Sequence, residues 1–157
     1  MKIKTKSIPF LLFLSFLIGC AQKKQNNQQI DQTVNYNFEI VVEDLNIPWG
    51  FDFLPDNSLL ITEKDGRLIH FKDGIKEQIS GTPEVYLRGQ GGLMDILIHP
   101  NFEENQLIYL SYASSTGEQE GGHTAILQAK LIGNQLTDQK VLYKAYPNTT
   151  AGQHFGS

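Results

Sequence analysis

The chain has 157 residues, enough for one ordinary domain, and its 40% hydrophobic and 19% charged content is that of a soluble globular protein. Thirteen basic and 17 acidic residues give a formal net charge of −4. Lys2, Lys4 and Lys6 stand in a first stretch of twenty residues without acids, so the remainder carries 10 basic against 17 acidic groups, and an acidic body with no basic stripe argues against nucleic acid as a partner.

The three lysines form a positive leader, followed by the apolar run Ile8 to Ile18, which is too short to span a bilayer as a helix. Leu17-Ile18-Gly19-Cys20 closes it, and Cys20 is the only cysteine, so no intrachain disulfide is possible. Residues 1–20 resemble a bacterial lipoprotein signal with its lipobox. That resemblance implies cleavage before Cys20, lipid on its sulfur and new amine, and a chain held at the cell envelope, periplasmic or outer-membrane, through the lipid anchor. Several acyl chains make such an anchor stable, at roughly 0.8 kcal/mol per buried methylene. Residues 21–35 are polar and rich in Gln, Asn and Lys. They cannot bury enough to fold and read as a disordered tether.

The folded part is expected over residues 36–157. Asn37 to Val42 shows the first alternating strand character. Phe51–Leu54, Leu59–Glu63, Arg67–Phe71 and Ile75–Ile79 then read as four strands. Pro55-Asp56-Asn57, Lys64-Asp65-Gly66 and Lys72-Asp73-Gly74 supply tight turns between them, Asp-Gly being a strong hairpin signal. Leu93–Ile98, Leu107–Ala113, Thr124–Ile132 and Leu136–Tyr143 repeat the plan with longer loops. No helical stretch of useful length appears after residue 36.

Pro48-Trp49-Gly50 stands before the first inner strand, and Gly89-Gln90-Gly91-Gly92 before the second. Gly152-Gln153-His154-Phe155-Gly156 reads as the opening of a third unit. Pro55 and Pro100, which follow the two inner strands, are 45 positions apart. That period, with four short strands per unit, predicts an all-β fold of the β-propeller type with about two antiparallel blades present. The last residues read as the start of an element, so the chain is expected to be the N-terminal part of a longer protein.

Residues ahead of an inner strand sit at the mouth of a propeller's channel, so Trp49, Gln90 and His154 are expected to converge there. His154 suits general-base work near neutral pH; a strand-start histidine bonded to a neighbouring loop is an equal reading. The Gln90 amide can donate to a carbonyl and accept from a hydroxyl, but alone it reads as a solvated turn residue. Trp49 reads first as core packing at a blade interface and second as a pocket wall. His99 reads as structural, His70 as solvated and His123 as undecided. Asp95 lies in an inner strand, facing the channel or the blade sandwich, and a buried carboxylate would need partners. No pair of residues has metal-ligand spacing.

Several motifs agree in order and spacing over residues 40–157: Ile47-Pro48-Trp49-Gly50-Phe51-Asp52, Thr62-Glu63-Lys64-Asp65-Gly66-Arg67, Gly89-Gln90-Gly91-Gly92-Leu93-Met94-Asp95, His99-Pro100-Asn101-Phe102 and His154-Phe155-Gly156. In these the chain resembles the PQQ-dependent glucose/sorbosone dehydrogenase family. The resemblance implies a six-bladed propeller with pyrroloquinoline quinone across the channel mouth. It implies His154 as the catalytic base toward a sugar hydroxyl and Gln90 as a cofactor contact. Gln153 stands where the soluble glucose dehydrogenases carry an acidic residue touching the cofactor. That departure points toward a broader aldose or sorbosone-type substrate. Calcium ligands and basic cofactor contacts come from later blades in the family, so residues 1–157 alone are expected to be inactive. A quinone or a cytochrome is expected as electron acceptor. The alternative is a non-enzymatic lipoprotein whose propeller binds a carbohydrate or a protein through the same mouth.

Overall fold

The computed structural model describes residues 36–156. Contacts divide the chain into Met1–Phe38 and Glu39–Ser157, and the second unit holds all the sheet structure described. The leader, Cys20 and the tether lie outside the described residues.

Two four-stranded antiparallel sheets form, each in simple sequence order. The first joins β1 (Pro48–Phe53), β2 (Leu59–Glu63), β3 (Leu68–Lys72) and β4 (Ile75–Ile79). The second joins β5 (Leu93–Ile98), β6 (Leu107–Ser114), β7 (His123–Ile132) and β8 (Gln135–Lys144). They are two blades of a β-propeller, with β1 and β5 innermost. The turns follow the expected chemistry. Asn57 takes φ 64° after Pro55-Asp56, and Asp73 and Gly74 take φ 50° and 80° between β3 and β4. Two positive φ values in a row give a two-residue hairpin loop whose twist matches its strands. Lys72 and the hydroxyl and N–H of Ser58 hold the Asp56 carboxyl well below the usual carboxylate range, but the ion pair is exposed and adds little to stability.

The core lies between the two sheets. Alternation puts Leu60 and Leu68 on the face of the first blade that meets Leu93, Ile96, Ile108, Leu110 and Leu127 of the second. Asp52 shares that face and accepts the Ile98 N–H at 2.8 Å. The opposite face of the first blade carries Leu59, Ile61 and Ile69. It is only partly covered, and Phe51 and Phe53 remain exposed there. Leu97 is exposed on the second blade. In a stack of repeats such faces are buried against the next unit.

The repeat extends to backbone detail. The β1–β2 ladder slips between Pro48 and Phe51, and the β5–β6 ladder between Leu93 and Ile96, again 45 positions apart. Each bulge frees an amide, and in each blade a hydroxyl on the neighbouring strand accepts it. Gly50 N–H donates to Thr62 Oγ1 at 2.9 Å, and Asp95 N–H to Ser111 Oγ at 2.9 Å. Thr62 then donates to the Met94 carbonyl of the next blade. Thr62 is fully buried. Thr62→Val keeps the shape but leaves the Gly50 N–H and the Met94 carbonyl unsatisfied, a loss of about 1–3 kcal/mol. A lower midpoint in chemical denaturation at unchanged slope is the expected result; an unchanged midpoint contradicts the clasp.

One expectation is corrected. Asn37 to Val42 does not form a strand. Val42 and Leu45 instead pack on the open face of the first blade beside Leu59 and Ile61, while Ile40 and Val41 stay exposed. A one-turn helix, α1 (Phe102–Asn105), also forms after Pro100. It stops because Gln106 turns left-handed at φ 52° and returns its N–H to the Phe102 carbonyl.

Candidate functional site

The segment before β5 is a tight turn, with Gly91 N–H donating to the Arg88 carbonyl at 2.8 Å. All three of its glycines are required by close approach; a Cβ on Gly91 would sit 2.5 Å from the Tyr86 carbonyl oxygen. A Cβ on Gly89, whose φ is 56°, would sit 2.0 Å from the Gly152 carbonyl oxygen. A Cβ on Gly92, at φ 155°, would sit 2.2 Å from the Lys64 carbonyl oxygen. The backbone of the turn therefore lies directly against two other chain segments, one from the first blade and one from the segment that follows β8.

Gln90 joins the second of these. Its N–H donates to the Gly152 carbonyl at 2.7 Å. Its side-chain Oε1 accepts the His154 N–H at 2.8 Å. With Oε1 fixed as acceptor, Nε2 is left to donate elsewhere. His154 takes φ 66°, a left-handed conformation uncommon for a non-glycine residue. Phe155 is buried beside Met94, Ala113 and Tyr86, with its ring 6.1 Å from that of Tyr86. The Gln90 bond and the Phe155 anchor hold His154 from both sides, and its imidazole remains exposed. The structure thus brings Gln90 and His154 together across 64 positions of sequence.

The other candidates are placed as follows. Gln153 is exposed next to His154. Trp49 does not pack in a core: it is 41% exposed and lines an apolar groove of about 590 Å³ with Val41, Leu45, Phe51, Phe53 and Ile61. Asp95 is exposed, and its Oδ1 accepts the Ile96 N–H at 2.9 Å and lies beside Gly50 of the first blade. A Cβ on Gly50 would lie 2.5 Å from Asp95 Oδ1, so glycine is needed there. His70 is half-buried, with Nε2 2.8 Å from Ser58 Oγ, and is not simply solvated. His99 is structural: its Nδ1 accepts the Asn101 N–H at 2.9 Å at the start of α1. His123 packs its ring 6.5 Å from that of Phe155 and so belongs to the support of the His154 segment.

Sequence reasoning gave Glu63 and Lys64 no role of their own: they stood as strand end, hairpin turn and part of the Thr62–Arg67 motif. Glu63 is buried, with Oε1 accepting the Asn46 N–H and Oε2 2.9 Å from Arg67 Nη2. It fixes the approach to β1. Lys64 N–H donates to the Ile47 carbonyl at 3.1 Å, and its own carbonyl accepts the Leu93 N–H at 3.0 Å. The signal was a Thr-Glu-Lys run closing an apolar strand, since charge directly after buried positions needs partners.

The sequence model of the Glucose / Sorbosone dehydrogenase family matches residues 45–157. Aldose sugar dehydrogenase YliI of Escherichia coli K12 is 36% identical over 125 residues, which are 76% of this chain and 33% of that protein. Quinoprotein glucose dehydrogenase B of Acinetobacter calcoaceticus is 29% identical over 82 residues, 49% of this chain and 17% of the relative. The crystal structure of the soluble aldose sugar dehydrogenase of Escherichia coli in its apo-form superposes with a TM-score of 0.66 at 36% identity, over 71% of this chain and 33% of that one. The chain belongs to the glucose/sorbosone dehydrogenase family. It spans about a third of the length of the E. coli relative it matches.

Proposed function

We propose that the protein, in its full-length form, is a PQQ-dependent aldose dehydrogenase. The observation that carries the reading is the Gln90–His154 pair, held at 2.8 Å on a glycine-lined turn at the entry to an inner strand. The residues fit the edge of a flat, polar cofactor. The Gln90 amide has a donor to spare, and the imidazole beside it is exposed. When bound, PQQ supplies the two-electron oxidant. His154 takes the proton from a sugar hydroxyl, which makes that carbon a better hydride donor. Gln90 orients the cofactor, and Gln153 is a second, neutral contact beside it. A neutral residue there favours a broad range of aldoses. Calcium ligands are expected from blades beyond residue 157. The quinoprotein relative and the aldose dehydrogenase relative support this reading.

The direct test is dye reduction by the full-length protein supplied with PQQ and calcium, across a panel of aldoses. PQQ-dependent reduction is expected. Sugar binding without turnover on any aldose contradicts it and favours a carbohydrate-binding propeller.

Cys20 is proposed as the lipidated residue that anchors the protein at the bacterial envelope, supported by the leader and lipobox pattern. Cys20→Ala is expected to abolish incorporation of labelled fatty acid and to release the protein from the membrane fraction. Unchanged partitioning contradicts the anchor.

A further inference from the structure

We infer that Lys64 is a positioning residue that clamps the Gln90 turn to the first blade and, through Gln90, sets the place of His154. The inference deepens the proposed function and rests on its assignment of Gln90 and His154 to the site.

Three contacts carry it. The Lys64 ammonium donates to the Gly89 carbonyl. The Lys64 carbonyl accepts the Leu93 N–H at 3.0 Å. The same carbonyl fills the space where Gly92 would carry a Cβ, at 2.2 Å. One residue thus grips both ends of the four-residue turn. The turn in turn carries the two Gln90 bonds, to the Gly152 carbonyl and from the His154 N–H. Lys64 itself is fixed, since its N–H is bonded to the Ile47 carbonyl and it directly follows buried Glu63. A rigid blade edge, a side-chain clamp and a two-bond relay therefore stand in series before the imidazole.

The clamp needs both reach and charge. A lysine ammonium offers three donors on a flexible four-carbon stem, and a charged donor makes a stronger bond to a carbonyl than a neutral one. Methionine keeps the stem volume and removes the donor. Arginine keeps the donor and the charge.

The test is amide hydrogen exchange of the full-length protein as wild type, Lys64→Met and Lys64→Arg, with kcat and KM from the same preparations. Lys64→Met is expected to speed exchange at Gln90 and His154, leave the β6 and β7 amides protected, and lower kcat by on the order of 10-fold to 10²-fold with a smaller change in KM. Lys64→Arg is expected to restore both readouts substantially. Unchanged protection at Gln90 and His154 in Lys64→Met overturns the clamp. Loss of protection spread equally over β6 and β7 also overturns it, because a clamp acts locally. Faster local exchange with unchanged kcat upholds the clamp and instead removes Gln90 and His154 from the chemistry, so the two readings fail separately.

Discussion

Replacing His154 by alanine in the full-length protein is expected to lower turnover by roughly 10²–10⁴-fold, the usual worth of a positioned general base. The substitution keeps the main-chain contacts, although it places alanine at a φ of 66°, which disfavours it. The bond that places residue 154 comes from its main-chain N–H to Gln90 Oε1, so it survives the loss of the side chain. Phe155 remains anchored beside Met94 and Tyr86. The imidazole is exposed, so removing it leaves no cavity. The fold and the turn should therefore persist while the base is lost. Steady-state kinetics with a saturating aldose check this, and turnover within a few-fold of wild type removes His154 from the mechanism.

Gly89→Ala is expected to damage the same site by the opposite route, leaving every polar side chain in place. The new Cβ would stand 2.0 Å from the Gly152 carbonyl oxygen, at a φ of 56° that already disfavours alanine. A rigid backbone atom lies at the clash, so the turn or the Gly152 segment must move, at a cost of about 1–3 kcal/mol. Movement lengthens the bond from Gln90 N–H to the Gly152 carbonyl and carries His154 away from its place. A shift of even 1 Å at a catalytic group can reduce rate by about 10²-fold. Thermal unfolding and kcat measured together should both fall. Wild-type kcat would show that this contact does not set the site.

Most of the fold was legible because each strand ended in turn chemistry. Lys64-Asp65-Gly66 and Lys72-Asp73-Gly74 marked hairpins, and the expected strands match the observed ones to within one residue at either end, except that β1 begins three residues earlier than expected, at Pro48. The 45-position repeat was visible in the two prolines, and it reappears in the two bulges. Of the three residues expected to converge, Gln90 and His154 do, as their place ahead of an inner strand suggested, whereas Trp49 lines the groove on the first blade. Other features were not legible. Alternation in Asn37 to Val42 gives strand character, but a strand also needs a partner edge, which a pattern does not report. Strand position left Asp95 facing either the channel or the sandwich, and the choice depends on a bulge whose freed N–H pairs with Ser111, which a pattern does not report. Trp49 was read first as core packing at a blade interface and second as a pocket wall, and the second holds because the groove it lines is set by which face of the first blade is covered. Lys64 was hidden because a lysine in a hairpin normally points to water, and its partner Gly89 lies 25 positions away.

The most direct measurement is a crystal structure of the full-length protein with PQQ bound. The account predicts the cofactor within hydrogen-bond reach of the Gln90 amide, with the His154 imidazole facing the space where a sugar hydroxyl would lie. A cofactor bound away from Gln90 and His154 would contradict it.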